Sequence, residues 1–355
     1  MIKSLKKNIN FEEKINLSNY TTIKVGGFAE YFSKPNNADE FINLIKWSHL
    51  NNQKCQIIGA GSNLLINNIL LKGLTICTKK MRSIKIESHS GIVEAEAGVM
   101  LPTMSNMLAK NGLQGGEWTV GIPGTVGGAI CMNAGSKNLS LANNLLSVQV
   151  IDTKTLKIFE IKKKDINFQY RFSPFQQNNL RIISAKLMFE PKGNVEQLLE
   201  TTKKNLKKKT DTQPYDLPSF GSVFKNPNNT YAGKLIEELG LKGFKIGGAE
   251  ISKMHGNFIV NNSSANSQDI LDLITVIQQK VLPKTASASS TVSPRLNASV
   301  IATCIAYTPT RLPKNPGESL QTTTVLPKIL SPKLTRSFIF SLSFCGPITN
   351  SSNRI

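Results

Sequence analysis

GIPGTVGGAICMNAG, running from Gly121 to Gly135, holds five glycines and no charged side chain. Glycine lacks a Cβ, so backbone rich in it turns sharply or lies close against something bulky. From Gly121 to Gly128 the stretch also offers a run of backbone N–H donors with no carboxylate among them, which suits phosphate groups. Pro123 fixes one φ and gives the loop a defined shape. Gly121, Pro123, Gly124, Thr125, Gly127 and Gly128 are therefore candidates for holding a phosphorylated cofactor. Standing alone, such a stretch reads as an ordinary surface turn between two strands. A second one, GAGSNLL at Gly59–Leu65, shifts that balance and adds Gly59, Ala60, Gly61, Ser62, Asn63 and Leu64 to the candidates.

The upstream loop follows a short strand, Gln56–Ile58, an order that invites a dinucleotide fingerprint. The fingerprint fails. Gly59 and Gly61 fit its first two glycines, but Leu64 stands at the third, and Lys79 and Lys80 stand where a ribose-binding acid belongs. A Rossmann start is excluded.

A chain of 355 residues, 40% hydrophobic and 7% aromatic, is ordinary globular material with room for two or three domains. Its formal charge of +20 raises nucleic acid as a first suspicion. The charge is spread out, however, and its densest cluster, Lys203–Lys209, reads as the solvated outer face of one helix without interleaved aromatic residues to stack bases. Nucleic acid is not expected as a partner; anionic small molecules are. Five scattered cysteines with no CxxC pair argue for reduced thiols in the cytoplasm, and three distant histidines give a metal site little support. The basic N-terminus lacks an apolar signal segment, and no run of about 18 apolar residues marks a membrane span.

Asn19–Gly27, NYTTIKVGG, reads as a strand ending at a glycine pair. Asn36 or Asn37 caps a helix with Ala38, Phe41, Ile42 and Ile45 on its apolar face. Leu74–Cys77, Ile84–Glu87 and Ile92–Ala97 read as strands, and Leu101–Asn111 as a helix stopped by Gly112. Ser147–Ile161 reads as a hairpin and Arg181–Glu190 as a further strand. An amphipathic helix over Val195–Lys208 leads through a polar loop, Thr210–Ser219, to GSVFKNP at Gly221–Pro227. Helices at Tyr231–Leu239 and Gln268–Lys280 flank a strand at Asn257–Val260.

The composition changes near residue 281. Residues 281–355 carry eight Lys+Arg and one acid, Glu318, against 43 − 8 = 35 bases and 23 − 1 = 22 acids in the rest. This Ser/Thr/Pro-rich segment lacks any sustained period and fits a disordered appendage or a change of reading frame.

NYTTIKVGG, GAGSNLL, GIPGTVGGAICMNAG, YRFS and GSVFKNP, in this order, resemble the UDP-N-acetylenolpyruvoylglucosamine reductase family over roughly residues 18–280. The resemblance implies an α+β chain with a PCMH-type FAD-binding fold of two subdomains, 1–82 and 83–191, then a smaller α+β substrate-binding domain, 192–280, and the atypical tail 281–355. It implies FAD held by the two glycine loops, NADPH as hydride donor, a nucleotide-sugar substrate, and no metal, in bacterial peptidoglycan precursor synthesis.

By the same resemblance Arg171 meets the charge that builds on the substrate's carboxylate when hydride reaches C3 of the enolpyruvyl ether, and Ser222 protonates C2. A planar guanidinium suits such a carboxylate, while a serine hydroxyl needs a water-poor pocket and a carbanion-like partner to act as an acid. Alone, Arg171 reads better as a surface ion-pair residue and Ser222 as a turn or cap serine. Tyr170, Lys225 and Asn226 are expected to contact substrate. The family's C-terminal catalytic glutamate has no match here, because Glu318 sits in the unrelated context NPGES. Three readings stand: an active reductase, an FAD-binding homologue impaired in turnover by its altered C-terminus, and, on charge alone, a nucleic-acid-binding protein.

Overall fold

Three sheets organise the chain. The computed structural model describes residues 10–136, 138–227 and 230–287, with side chains as far as Val281, so Glu318 and most of the atypical tail lie outside the described residues. The first sheet has the order β1 (Glu12–Asn16), β2 (Phe28–Ser33), β4 (Leu70–Cys77), β3 (Cys55–Ile58). β2 and β3 both run parallel to β4, and helix α1 (Ala38–Leu50) makes the crossover from β2 to β3. Asn37 caps α1 by accepting the Glu40 N–H at 3.0 Å, and the Glu40 carboxylate accepts in return from the Asn36 N–H.

The second sheet is antiparallel throughout. It is built from β5 (Ile84–Glu87), β6 (Ile92–Glu96), β9 (Leu145–Asp152), β10 (Ile158–Lys162) and β11 (Leu180–Met188) in the order β10-β9-β11-β6-β5. Between β6 and β9 the chain forms α2 (Leu101–Lys110), α3 (Val126–Cys131), the tiny ladder β7 (Gly135–Ser136) and β8 (Leu139–Ser140), and the single turn α4 (Leu141–Asn144). The period-2 pattern of β6 sends Val93 and Ala95 into a core with Leu101, Met104, Val126 and Ile130, while Glu94 faces Lys186 across the open side at 3.1 Å. Ile151 and Ile183, on the opposite face, pack with Phe41, Ile45 and Trp47, so α1 joins the first two sheets.

After α5 (Val195–Thr212) come β12 (Ser219–Ser222), α6 (Ala232–Glu238), β13 (Lys245–Ile246), β14 (Ala249–Ile251), β15 (Phe258–Asn261) and α7 (Ser267–Ser287), with sheet order β12-β15-β14-β13. α7 continues to Ser287, past the point where the composition changes. Among the described residues no helix is long and apolar enough to cross a membrane.

The expected strand Asn19–Gly27 is not one. Leu17–Tyr20 is a 3-10 turn and the rest is irregular, with Lys24 left-handed at φ 61°. The alternation that suggested a strand is genuine burial: Thr21, Ile23 and Val25 all point inward. The segment's hydrogen-bond partners, however, are a loop residue, Gly61, and residues at the ends of β12 and β15, with no ladder between them. Thr22 N–H donates to the Gly61 carbonyl, Thr22 Oγ1 to the Ser219 carbonyl, and Asn261 Nδ2 to the Ile23 carbonyl. Ile23, Val25 and Leu65 thereby complete the core of Phe220, Ile251, Ile259 and Ile270. The helix expected to end at Lys208 also runs one turn further, through Thr210 Oγ1 and Thr212 Oγ1 bonds to the Lys207 and Lys208 carbonyls.

Because Ile23 is fully buried in the core of the C-terminal sheet, Ile23→Ala is expected to destabilise the protein by about 2–4 kcal/mol. Denaturant titration followed by Phe and Trp fluorescence measures this, and a loss under 1 kcal/mol counts against the shared core.

Candidate active site

α3 begins with Thr125, whose extended backbone and side chain cap the helix by accepting the Gly128 N–H at 3.3 Å. Val126 and Gly127 donate to the carbonyls of Val99 and Ala97, and the Gly124 N–H bonds Ile122. Most of the expected run of free donors in the Gly121–Gly128 loop is thus already used inside the protein, which corrects that expectation. Its glycines serve close approach instead. A methyl at Gly127 would stand 2.8 Å from the Ala97 Cβ, and one at Gly59 would overlap the Thr125 hydroxyl, so the two glycine loops meet. Gly61, left-handed at φ 70°, has no room for a Cβ against the Tyr20 carbonyl. The unspent donors lie in the first loop: among the described residues, the N–H groups of Ala60, Ser62, Asn63 and Leu64 meet no protein acceptor.

Both loops line one cavity of about 740 Å³. It gathers every residue singled out from the sequence: Gly59–Leu64, Gly121, Pro123, Gly124, Thr125, Gly127, Gly128, Tyr170, Arg171, Ser222, Lys225 and Asn226. The size falls within the range of cofactor pockets, about 300–1,000 Å³. The free amides of the first loop and the open wall at Gly124, where a Cβ would meet nothing nearer than 3.8 Å, fit the pyrophosphate and flat ring system of a flavin dinucleotide.

Arg171 sits at the tip of a turn closed by reciprocal Gln169 and Phe172 backbone bonds of 3.1 and 3.0 Å, with its own φ at 57°. Its Nη2 donates to the Gly135 carbonyl at 2.6 Å and its Nη1 to the Asn133 carbonyl at 3.4 Å, while Tyr170 stacks 5.3 Å from the guanidinium. Among the described residues no carboxylate neutralises it, and burial lowers its pKa from the ordinary arginine value. Ser222 ends β12 opposite Phe258, after Gly221 at φ 81°, and its side chain is exposed to the cavity without a protein partner among the described residues. Asn226 Oδ1 accepts the Ala232 N–H at 3.1 Å and so holds the start of α6.

Lys209 departs from the sequence reading. Rather than joining the solvated face of α5, its stem crosses Gly121, where a Cβ would lie 2.6 Å from Lys209 Cγ, and it lines the cavity. Burial, and then the Arg171 charge, lower its pKa; the same two causes lower that of Lys225. Neither ammonium has an acidic partner among the described residues. With Arg181 these groups place four cations around the cavity against one carboxylate, Asp216. Thr22 and Tyr215, which donates to the Gly121 carbonyl at 2.9 Å, also escaped the sequence reading. The two prolines that bracket Tyr215, Pro214 and Pro218, both lining the cavity, were the available signal for the latter.

This architecture, a PCMH-type FAD-binding fold with a further α+β domain, defines a flavoprotein oxidoreductase. Residues 29–160 match the FAD binding domain model, and residues 213–288 match the C-terminal domain model of UDP-N-acetylenolpyruvoylglucosamine reductase. The chain belongs to the UDP-N-acetylenolpyruvoylglucosamine reductase family. It is 90% identical to the reductase of Prochlorococcus marinus subsp. pastoris over 278 residues, which cover 78% of this chain and 94% of the relative. It is 46% identical to that of P. marinus strain MIT 9313, over 78% of this chain and 91% of the relative. The crystal structure of the Thermus caldophilus reductase superposes with a TM-score of 0.65 at 30% identity, covering 76% of this chain and 95% of that one.

Lys209→Met is expected to weaken binding of UDP about tenfold or more, the usual loss for a charge-assisted hydrogen bond of 1.5–3 kcal/mol. The sign with pH follows from its lowered pKa. The ammonium loses its proton at a lower pH than a free lysine, so wild-type affinity should fall as calorimetric titrations move from pH 7 to 10, and the variant's should fall less.

Proposed function

We propose that this chain reduces UDP-N-acetylenolpyruvoylglucosamine to UDP-N-acetylmuramate with NADPH, a cytoplasmic step of peptidoglycan precursor synthesis. The observation that carries this reading is the meeting of both glycine loops, Arg171 and Ser222 around one cation-rich cavity. The division into 1–82, 83–191 and 192–280 belongs to the reading and is supported by the ranges of the three sheets. When bound, FAD supplies the hydride relay from NADPH to C3 of the enolpyruvyl ether.

The rest is the work of this chain. The first-loop amides hold the cofactor's pyrophosphate. Lys209 and Lys225 meet the substrate's diphosphate, and neither is drawn away by an acid among the described residues. Arg171 faces the substrate carboxylate: its two carbonyl bonds leave donors to spare, and a partly buried guanidinium without a counter-ion among the described residues favours charge that grows in the transition state. Ser222 holds the proton that passes to C2, and among the described residues its hydroxyl is not committed elsewhere. The second reading, a flavin-binding homologue impaired in turnover, draws on the acid content of the cavity, whose lining among the described residues includes Asp216 alone as a carboxylate. NADPH oxidation that depends on the enolpyruvyl substrate decides between the two.

Ser222→Ala should leave reduction of the flavin by NADPH near wild type and slow the flavin's reoxidation by substrate roughly 10²-fold, as for loss of a positioned proton donor. Stopped-flow absorbance separates these half-reactions, and equal slowing of both removes Ser222 from its role.

The flavin should be released into the supernatant on acid precipitation. Burial pushes the Cys131 thiol up to about 11, which keeps the one cysteine that lines the cavity among the described residues protonated and unreactive. Yellow colour retained in the pellet would overturn noncovalent binding, and a colourless protein that cannot be reconstituted would overturn the flavin reading itself.

A further inference from the structure

α3 ends in a Schellman motif. The Ala134 N–H donates to the Ala129 carbonyl at 2.8 Å, the Asn133 N–H to the Ile130 carbonyl at 3.1 Å, and Asn133 is left-handed at φ 41°. Glycine is the usual occupant of that position, because a Cβ is penalised in the left-handed region. Here an asparagine occupies it, nine-tenths buried, and its side chain turns back into the protein. Asn133 Nδ2 donates to the Gln169 carbonyl at 2.9 Å, at the root of the turn whose tip is Arg171. Its main-chain carbonyl accepts from Arg171 Nη1. One residue therefore grips the Arg171 turn twice, at the base through its side chain and at the guanidinium through its backbone. Ser173 Oγ and Gln176 Nε2 add bonds of 2.6 and 2.9 Å to the Cys131 carbonyl, so the turn is laced to the end of α3 on its other side as well.

We infer that Asn133 is a positioning residue for the reductive step, its side-chain amide fixing the Arg171 turn so that the guanidinium stays on the carbonyls of Asn133 and Gly135 and faces the cavity. The inference rests on the proposed role of Arg171. It explains why asparagine stands where helix capping alone favours glycine. It also accounts for a left-handed, non-glycine Arg171: two laced sides hold a backbone that a free turn would relax.

Asn133→Gly separates the two roles of the residue. Glycine keeps, and relaxes, the left-handed cap while deleting the amide. If Asn133 were only a cap, the variant would be at least as stable and as active as wild type. The expected result is retained FAD and thermal stability, flavin reduction by NADPH within about twofold, and reoxidation by the enolpyruvyl substrate slowed roughly 10- to 100-fold, the cost of about 1 Å of misplacement. In an Arg171→Lys background the same change should add less than about twofold. Asn133→Asp, which tolerates the same backbone but turns a donor into an acceptor against the Gln169 carbonyl, should behave like Asn133→Gly. Wild-type reoxidation in Asn133→Gly, or an undiminished effect in the Arg171→Lys background, overturns the inference while leaving the reductase reading intact. An Arg171→Lys enzyme with normal reoxidation instead removes the role of Arg171, and the inference with it. A crystal structure of Asn133→Gly gives a readout independent of turnover. α3 should superpose and the guanidinium should leave its two carbonyls; an unmoved guanidinium overturns the proposal.

Discussion

The backbone of Val126 and Gly127 is hydrogen-bonded to Val99 and Ala97, where β6 hands over to α2, and Gly127 has no space for a side chain there. That contact seats α3 against the five-stranded sheet, and much of the site follows from it. At the helix's N-terminus Thr125 presses on Gly59, which brings the two glycine loops together. At its C-terminus the carbonyls of Cys131, Asn133 and Gly135 receive the Arg171 turn. A helix of six residues thus has the candidate cofactor loops at one end and the candidate substrate arginine at the other. The helix, seated by backbone bonds, sets their separation, and side-chain bonds fasten the Arg171 turn to its end, giving the rigidity that hydride and proton transfer to adjacent carbons demand.

The cavity's charge is equally a matter of placement. The chain carries a large positive excess, but most of its lysines stand in solvent, where screening makes them interchangeable. Lys209 and Lys225 differ because burial and the nearby Arg171 make their charge costly until an anion arrives. An anionic ligand offsets that cost at several groups together, so the four cations around the cavity, and not the overall charge, are what favours a multiply charged ligand.

Much of this was legible in the sequence. The glycine loops, YRFS and GSVFKNP named residues that all reach one cavity, because each motif carries its own local geometry and the family order implied their meeting. Failures came where the deciding contact was distant. Thr21–Val25 alternates as a strand does, yet it bonds to Gly61 and to Ser219 at the start of β12, 39 and 197 residues away, which no local period encodes. Lys209 belongs to a run of lysines whose inward turn depends on the missing side chain of Gly121. The donors of the second glycine loop looked free because their acceptors, Ala97 and Val99, lie in a strand end read separately. Asn133 sat unremarked inside a quoted motif, since its value lies in a carbonyl 36 residues downstream.

The insertion of Ile23 and Val25 into the C-terminal core bears on how the chain is made. Thr22 bonds to Ser219 and Asn261 to Ile23 across 197 and 238 residues, so this segment, made well ahead of both, stays without its partners until the last described strand has emerged. Two apolar side chains are exposed throughout that interval, and closing so long a loop is slow. Vectorial synthesis should therefore leave the N-terminal sheet able to form early but unfinished at this edge, making the nascent chain a client for chaperones until its C-terminal sheet arrives.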